Sequence, residues 1–180
     1  MFEQVRYRGP SLGELHDQYA KQRRIDQAAP IRSAHEVRIE TPAARVWSLL
    51  SDPIKWSTID PAIRDVRLGA EVDVDVRFVW HNGNTKLHSR FAVVDPQREI
   101  SWTGSVMGSR AVHRHILALE ADSITLLRSE ESMAGALVAL FYNSTKLHAQ
   151  LAHWLSAVKA AAERPLPTRQ TDPGNSTDGE

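Results

Sequence analysis

The chain has no cysteine among its 180 residues. That removes disulfides, thiol nucleophiles and cysteine-ligated metals, and it is the usage expected of a reducing cytoplasm. An excess of either charge is also missing, with Lys plus Arg and Asp plus Glu at 22 each. No global field draws the chain to nucleic acid or to an anionic membrane, so neither is an expected partner. No window approaches the roughly 18 consecutive apolar residues of a membrane span. Met1 to Arg8 holds no apolar run of the signal-peptide type. There is no Gly-rich phosphate loop, no nucleophile elbow and no specific serine–histidine–acid spacing. The expectation is a soluble, cytoplasmic protein with one domain, a substantial core and residues to spare at its ends.

What the chain does have is one long amphipathic stretch. Over Ser132 to Glu163 the residues Leu137, Leu140, Phe141, Leu147, Leu151, Leu155 and Val158 share a face at about 100° per residue, predicting a single C-terminal helix. Asn143, Lys146, Gln150 and Lys159 make the opposite, polar face. Ser144 and His148 fall within the apolar stripe, where they either satisfy each other in a core or face something bound. Ahead of this, Ser11 to Ala29 reads as a short helix with a Ser11/Glu14 capping box and Pro30 as its stop. It is a thinly apolar helix, expected to lie solvated on the domain or to contact a partner chain. A homodimer is therefore one association left open.

Ala34 to Glu40 reads as a strand, followed by Thr41 as N-cap, Pro42 at the first helical position and a helix to Leu50. A second helical turn runs through Ile54 to Trp56. From Ile63 the period becomes two. Val72, Val74, Val76, Phe78 and Trp80 alternate with polar residues, and Leu87, Ser89, Phe91 and Val93 do so after a turn at His81-Asn82-Gly83-Asn84. Ile100, Trp102 and Gly104 share a face. Ala111, His113, His115, Leu117 and Leu119 form the next inward set, and Thr125, Leu127, Ser129 and Glu131 the last. Short antiparallel strands joined by tight turns make a meander whose apolar face the C-terminal helix can cover. Residues 164–180, rich in Pro, Gly, Ser, Thr and Asp, are expected to be a disordered tail. The divisions are thus 1–30 for a helical extension, 31–163 for the folded domain and 164–180 for the tail.

That order of elements resembles the START-like, helix-grip superfamily. Several segments resemble its bacterial polyketide cyclase/dehydrase (SRPBCC) branch in particular: Thr41-Pro42-Ala43, Val46 to Asp52 with Trp56, Phe78-Val79-Trp80, Ile100 to Gly104, Gly108 with Ala111-Val112-His113, and Glu130-Glu131-Ser132 with Gly135. The resemblance implies an α+β fold, a curved antiparallel sheet gripping the long helix with an apolar cavity between them. It implies no cofactor and no metal. Two departures stand out. His115 occupies a place where an aromatic is common, which makes the pocket more polar, and the glycine often found before the last strand's threonine is absent. The superfamily includes cyclases, dehydratases, lipid carriers and hormone receptors, so membership alone does not choose among them.

Alternation turns His113, His115, Ser129 and Glu131 toward the helix, with Ser89 and Trp102 on the same face and Trp80 near the mouth. Ser144 and His148 would complete a group of imidazoles, hydroxyls and one carboxylate. His113, His115 and Glu131 are the candidate catalytic residues, since an imidazole titrates near neutrality and a carboxylate can orient it. Trp56, Trp80, Ser89, Trp102, Ser129, Phe141, Ser144 and His148 are the candidate ligand contacts. The plainer alternative is that His113 is a core histidine satisfied by Glu131 and that the tryptophans are simple core. His113-x-His115 with Glu131 also has the composition of a two-histidine, one-carboxylate metal site, although the resemblance implies none. The function expected is binding of a hydrophobic small molecule with cyclisation, dehydration or isomerisation of it. A non-catalytic carrier of hydrophobic ligands or lipids is the alternative.

Overall fold

The computed structural model describes residues 7, 9–135, 138 and 142–165. Seven antiparallel strands form one sheet in the order β1-β7-β6-β5-β4-β3-β2. They are β1 (Ile31–Ile39), β2 (Ile63–Leu68), β3 (Arg77–Asn82), β4 (Thr85–Asp95), β5 (Glu99–Val106), β6 (Ser109–Ala121) and β7 (Ile124–Ala134). Strands β2 to β7 run as a meander, and β1 closes it by pairing with β7. Helix α1 is the single turn Leu12–Glu14, α2 is Ala43–Leu50, and α3, the long terminal helix, is Ser144–Ala162. A 3-10 turn, Pro53–Thr58, follows α2. This is the helix-grip architecture of START-like proteins.

Helix α3 buries Leu147, Leu151, Trp154, Leu155, Val158 and Ala162. Its C-terminal half packs on Val46 and Leu50 of α2 and on Ile39, Leu117 and Leu127 of the sheet. Asn143 caps its start by accepting the Lys146 N–H at 2.9 Å. At the other end the Arg45 guanidinium donates to the Ala162 and Arg164 carbonyls, supplying partners and positive charge where a helix end needs them. Beyond β7, Gly135 runs so close to Ser109 that an added Cβ would sit 2.6 Å from its Cα. Only glycine fits there.

Several expectations change. Residues 132–134 are the end of β7 rather than the start of a helix, because ladders to both β1 and β6 outweigh local helical preference there. Leu137, Leu140 and Phe141 lie outside the described residues. Thr41 is not the cap of α2; Pro42 takes that position, while the Thr41 hydroxyl donates to Glu40 O at 2.8 Å. Val72 to Val76 is a loop: Asp75 adopts φ 70° and the Val76 N–H closes a turn to Asp73 O. The strand begins at Arg77, and Ile63–Leu68 forms its own strand, bulged between Arg64 and Arg67. A bulge between Phe91 and Val93 likewise shifts the inward position on β4 to Val94, which packs on the core. Leu119 is exposed, at a register shift near the end of β6.

The N-terminal segment also departs from a helix running to Ala29. The capping box forms, with the Ser11 hydroxyl accepting from Glu14 N–H and Glu14 accepting from Ser11 N–H. The chain then widens into a π-helical turn (Leu15–Tyr19), tightens into a 3-10 turn (Ala20–Gln22), and stops at Arg23 with φ 56°. It is no solvated helix. Leu15, Ala20 and Ile25 are buried with Ala92 and Val112 on the outer face of the sheet. The buried His16 pins it there, with Nδ1 2.9 Å from Thr103 Oγ1 and Nε2 2.7 Å from Asp75 Oδ1.

Candidate functional site

Between the inner face of the sheet and the N-terminal half of α3 lies a cavity of about 310 Å³. The cross-strand register builds its polar wall. Trp102 on β5 stands opposite His113 on β6, and His113 opposite Glu131 on β7; one step along, His115 is opposite Ser129. Directly opposed residues of an antiparallel pair present side chains to one face at close range. Pairing of consecutive strands of the meander therefore assembles the group without any loop residue.

The indole of Trp102 stacks on the imidazole of His113, centroids 4.5 Å apart and 8° from parallel. His113 Nδ1 is 2.9 Å from Glu131 Oε2, and its Nε2 is 3.1 Å from His115 Nε2. His115 Nδ1 meets Ser129 Oγ, and Trp154 Nε1 on α3 reaches His115 Nε2 at 3.1 Å. An indole N–H only donates, so His115 Nε2 accepts and the proton of the neutral ring sits on Nδ1, directed to Ser129. His113 Nε2, facing that same acceptor, must then carry hydrogen. His113 Nδ1 and Glu131 Oε2 share a hydrogen bond at the edge of the cavity.

Burial holds His115 well below the ordinary imidazole range, and the neighbouring His113 pushes the same way. His115 is thus a neutral, fully desolvated strut. Burial, reinforced by the charge of Glu131, raises the phenol of Tyr142 to about 12. The carboxylate of Glu131 and the ring of His113 are each slightly open, with side chains 11% and 14% exposed. They are the titratable pair that something in the cavity can reach.

Three more tryptophans, Trp56, Trp80 and Trp154, join the wall. Trp56 packs edge-on to Trp80 (5.9 Å) and tilted against Trp102 (5.4 Å). Trp80 donates its indole N–H to Ser89 Oγ at 3.1 Å. Trp80, Ser89, Trp102, His113, His115 and Glu131 line the cavity from the face the alternation gave them, and Trp56 lines it from the 3-10 turn. At the rim, His153 of α3 approaches Asp60 at 3.3 Å.

Three expected contacts are placed elsewhere, and Phe141 lies outside the described residues. Ser129 is buried behind His115, which it orients, and does not line the cavity. Ser144 begins α3 and accepts the Arg32 N–H at 3.2 Å. His148 is exposed over β1, beside Ser33 Oγ at 3.2 Å and edge-on to His35. The helix is turned so that the Leu147–Leu151–Trp154 line enters the core, which carries His148 about 100° to the side. Trp154 was missed, although its spacing of three from Leu151 and seven from Leu147 puts it on their face. Gln150, read as outward, stands at the rim.

The donors do not converge on a metal. Glu131 meets one end of the His113 ring and His115 the other, and no group of three His, Asp or Glu able to hold an ion occurs among the described residues.

A family model described as polyketide cyclase/dehydrase and lipid transport matches residues 30–138. The chain belongs to this family. Its fold is shared with solved structures of low identity. One is a hypothetical protein of Helicobacter pylori (14% identical, TM-score 0.67), for which the match covers 76% of this chain and 90% of the other. The Zhui aromatase/cyclase of Streptomyces is 21% identical with TM-score 0.59, over 74% of this chain and 93% of the other. Norcoclaurine synthase of Thalictrum flavum, solved with dopamine and hydroxybenzaldehyde, is 12% identical with TM-score 0.56, over 72% and 84%. No curated protein sequence matches. Within this polyketide cyclase/dehydrase family, the core of the match spans β1 to β7 and leaves out the N-terminal segment that covers the outer face.

Proposed function

We propose that this chain binds a hydrophobic, ring-bearing small molecule in the cavity and moves a proton on it, driving cyclisation, dehydration or isomerisation. The observation that carries the reading is the 2.9 Å hydrogen bond between His113 Nδ1 and Glu131 Oε2 at the cavity edge, in a wall that also carries four tryptophans. A carboxylate and an imidazole sharing a proton can give it to a carbonyl oxygen and take one from a neighbouring carbon, while stacked indoles hold the reacting conformer. His115, kept neutral, presents a fixed acceptor to His113. Trp154 acts as a positioning residue by setting its tautomer, and Ser129 by holding its Nδ1. Support also comes from two relatives in fold, an aromatase/cyclase and a synthase solved with aromatic ligands.

One observation favours the alternative, a carrier without chemistry. Glu131, His113, His115, Ser129 and Trp154 each have a hydrogen-bond partner inside the protein, as inert core groups do. The two readings part on one experiment. Native mass spectrometry of the chain purified from its own host identifies a co-purifying molecule, and its turnover is followed by liquid chromatography. An enzyme converts it, with His113→Ala and Glu131→Gln each slowing conversion by about 10²-fold or more. A carrier returns it unchanged. Normal turnover in both variants overturns the assigned roles.

A further inference from the structure

The cavity does not end at the tryptophans. A second chamber of about 270 Å³ adjoins it and shares Asn82, Leu87, Val106, Met133 and Gln150 with the first. Its own wall adds Thr85, Met107, Val138 and Tyr142. The two halves differ in chemistry. The inner one carries four tryptophans and the His113–Glu131 pair; the outer one adds Met107 and Val138 to the shared Leu87, Val106 and Met133, and has no tryptophan, carboxylate or imidazole. Met107, at the tip of the β5–β6 hairpin, is 71% exposed. Its side chain lines the outer chamber.

Between the chambers sits a polar waist. The Tyr142 hydroxyl donates to Gln150 Oε1, and the phenol stays protonated, since burial and the Glu131 charge push it up to about 12. With Gln150 Oε1 so engaged, the Gln150 amide N–H₂ remains as a donor, and the Asn82 amide belongs to the same shared wall.

Building on the reading that this cavity binds a ring-bearing molecule, we infer that the ligand is amphipathic along its length. A planar ring system lies among Trp56, Trp80 and Trp102, an oxygen substituent accepts from the amides at the waist, and an apolar chain runs out under Met107. The structure thus specifies a ring with an attached alkyl or prenyl chain, rather than a compact polyhydroxylated ring.

The probes are 2-acetonaphthone and 2-octanoylnaphthalene, identical in ring and carbonyl and different only in chain. Binding to the full chain is measured by isothermal titration calorimetry, and tryptophan quenching reports entry into the inner chamber. Full burial of one methylene is worth about a fourfold gain in affinity. A chain lying in a partly open groove should therefore bind at least about tenfold tighter as octanoyl than as acetyl. Met107→Asp, a change at an exposed position, should abolish most of that gain while leaving 2-acetonaphthone affinity unaltered. Gln150→Ala should weaken both ketones about equally. If 2-acetonaphthone binds and the longer chain adds nothing, or if Met107→Asp keeps the gain, the two-chamber inference is wrong and the inner site stands. Should neither ketone bind or quench, the ligand-binding reading fails and this inference with it.

Discussion

Replacing Trp154 by Phe tests the direction of the buried hydrogen-bond network. In the native protein the indole N–H, 3.1 Å from His115 Nε2, forces that nitrogen to accept. The other tautomer would turn an N–H toward the indole N–H and leave that buried donor without an acceptor. Each unsatisfied buried donor costs about 1–3 kcal/mol. The native ring should therefore be at least about fivefold biased to the Nδ1–H form. Phe keeps most of the packing with Trp56, whose ring lies 5.8 Å from that of Trp154, and removes only the donor. The bias should fall by about fivefold or more, because the Ser129 hydroxyl can donate or accept. Long-range proton–nitrogen correlation spectra of selectively labelled histidine read the tautomer directly. A native His115 protonated on Nε2, or a tautomer ratio unmoved by Trp154→Phe, would refute the proton placement and the role assigned to His113 with it.

Acid should destabilise the protein through the same residue. His115 has a folded-state affinity for protons below that of the unfolded chain, so stability is full above the unfolded value near 6.5 and declines as pH falls through it. The slope contributed is about 1.4 kcal/mol per pH unit, and His16, also lowered chiefly by burial, acts in the same direction. Urea midpoints between pH 7.5 and 5 check this, and a His115→Asn variant should lose part of the slope. Leu155→Ala should cost about 2–5 kcal/mol in urea titration, since the side chain is fully buried between α2 and the sheet. Ser144→Ala and His148→Ala should leave 2-acetonaphthone affinity within about twofold of native, because neither residue lines the cavity. A loss well beyond twofold would return the helix residues to the site.

Much of this protein is local, and local features are readable. Two-residue alternation placed Trp80, Ser89, Trp102, His113, His115 and Glu131 on one face because a strand's geometry leaves only two faces to choose between. The capping box at Ser11 and Glu14 formed for the same reason: each partner lies within a turn of the other. What depended on distant contacts was not readable. The apolar stripe read as one helix from Ser132 to Glu163, yet at 132–134 the strand prevails because β1 lies on one side and β6 on the other. The N-terminal segment had a thin stripe that said little, until the outer sheet face supplied Ala92, Val112 and Thr103 for it to pack and bond against.

The sequence by itself determined the class of fold and the inward row of imidazoles and carboxylate, since both follow from periodicities of neighbouring residues. Only the tertiary structure decided the rotation of α3. That rotation brought Trp154 to His115, sent His148 outward, and so converted a collection of polar groups into a network with a fixed direction for its protons. A helix face carries no mark of which neighbour it will meet; packing against α2 and the sheet selects the angle, because that angle buries Leu147, Leu151, Leu155 and Val158 together.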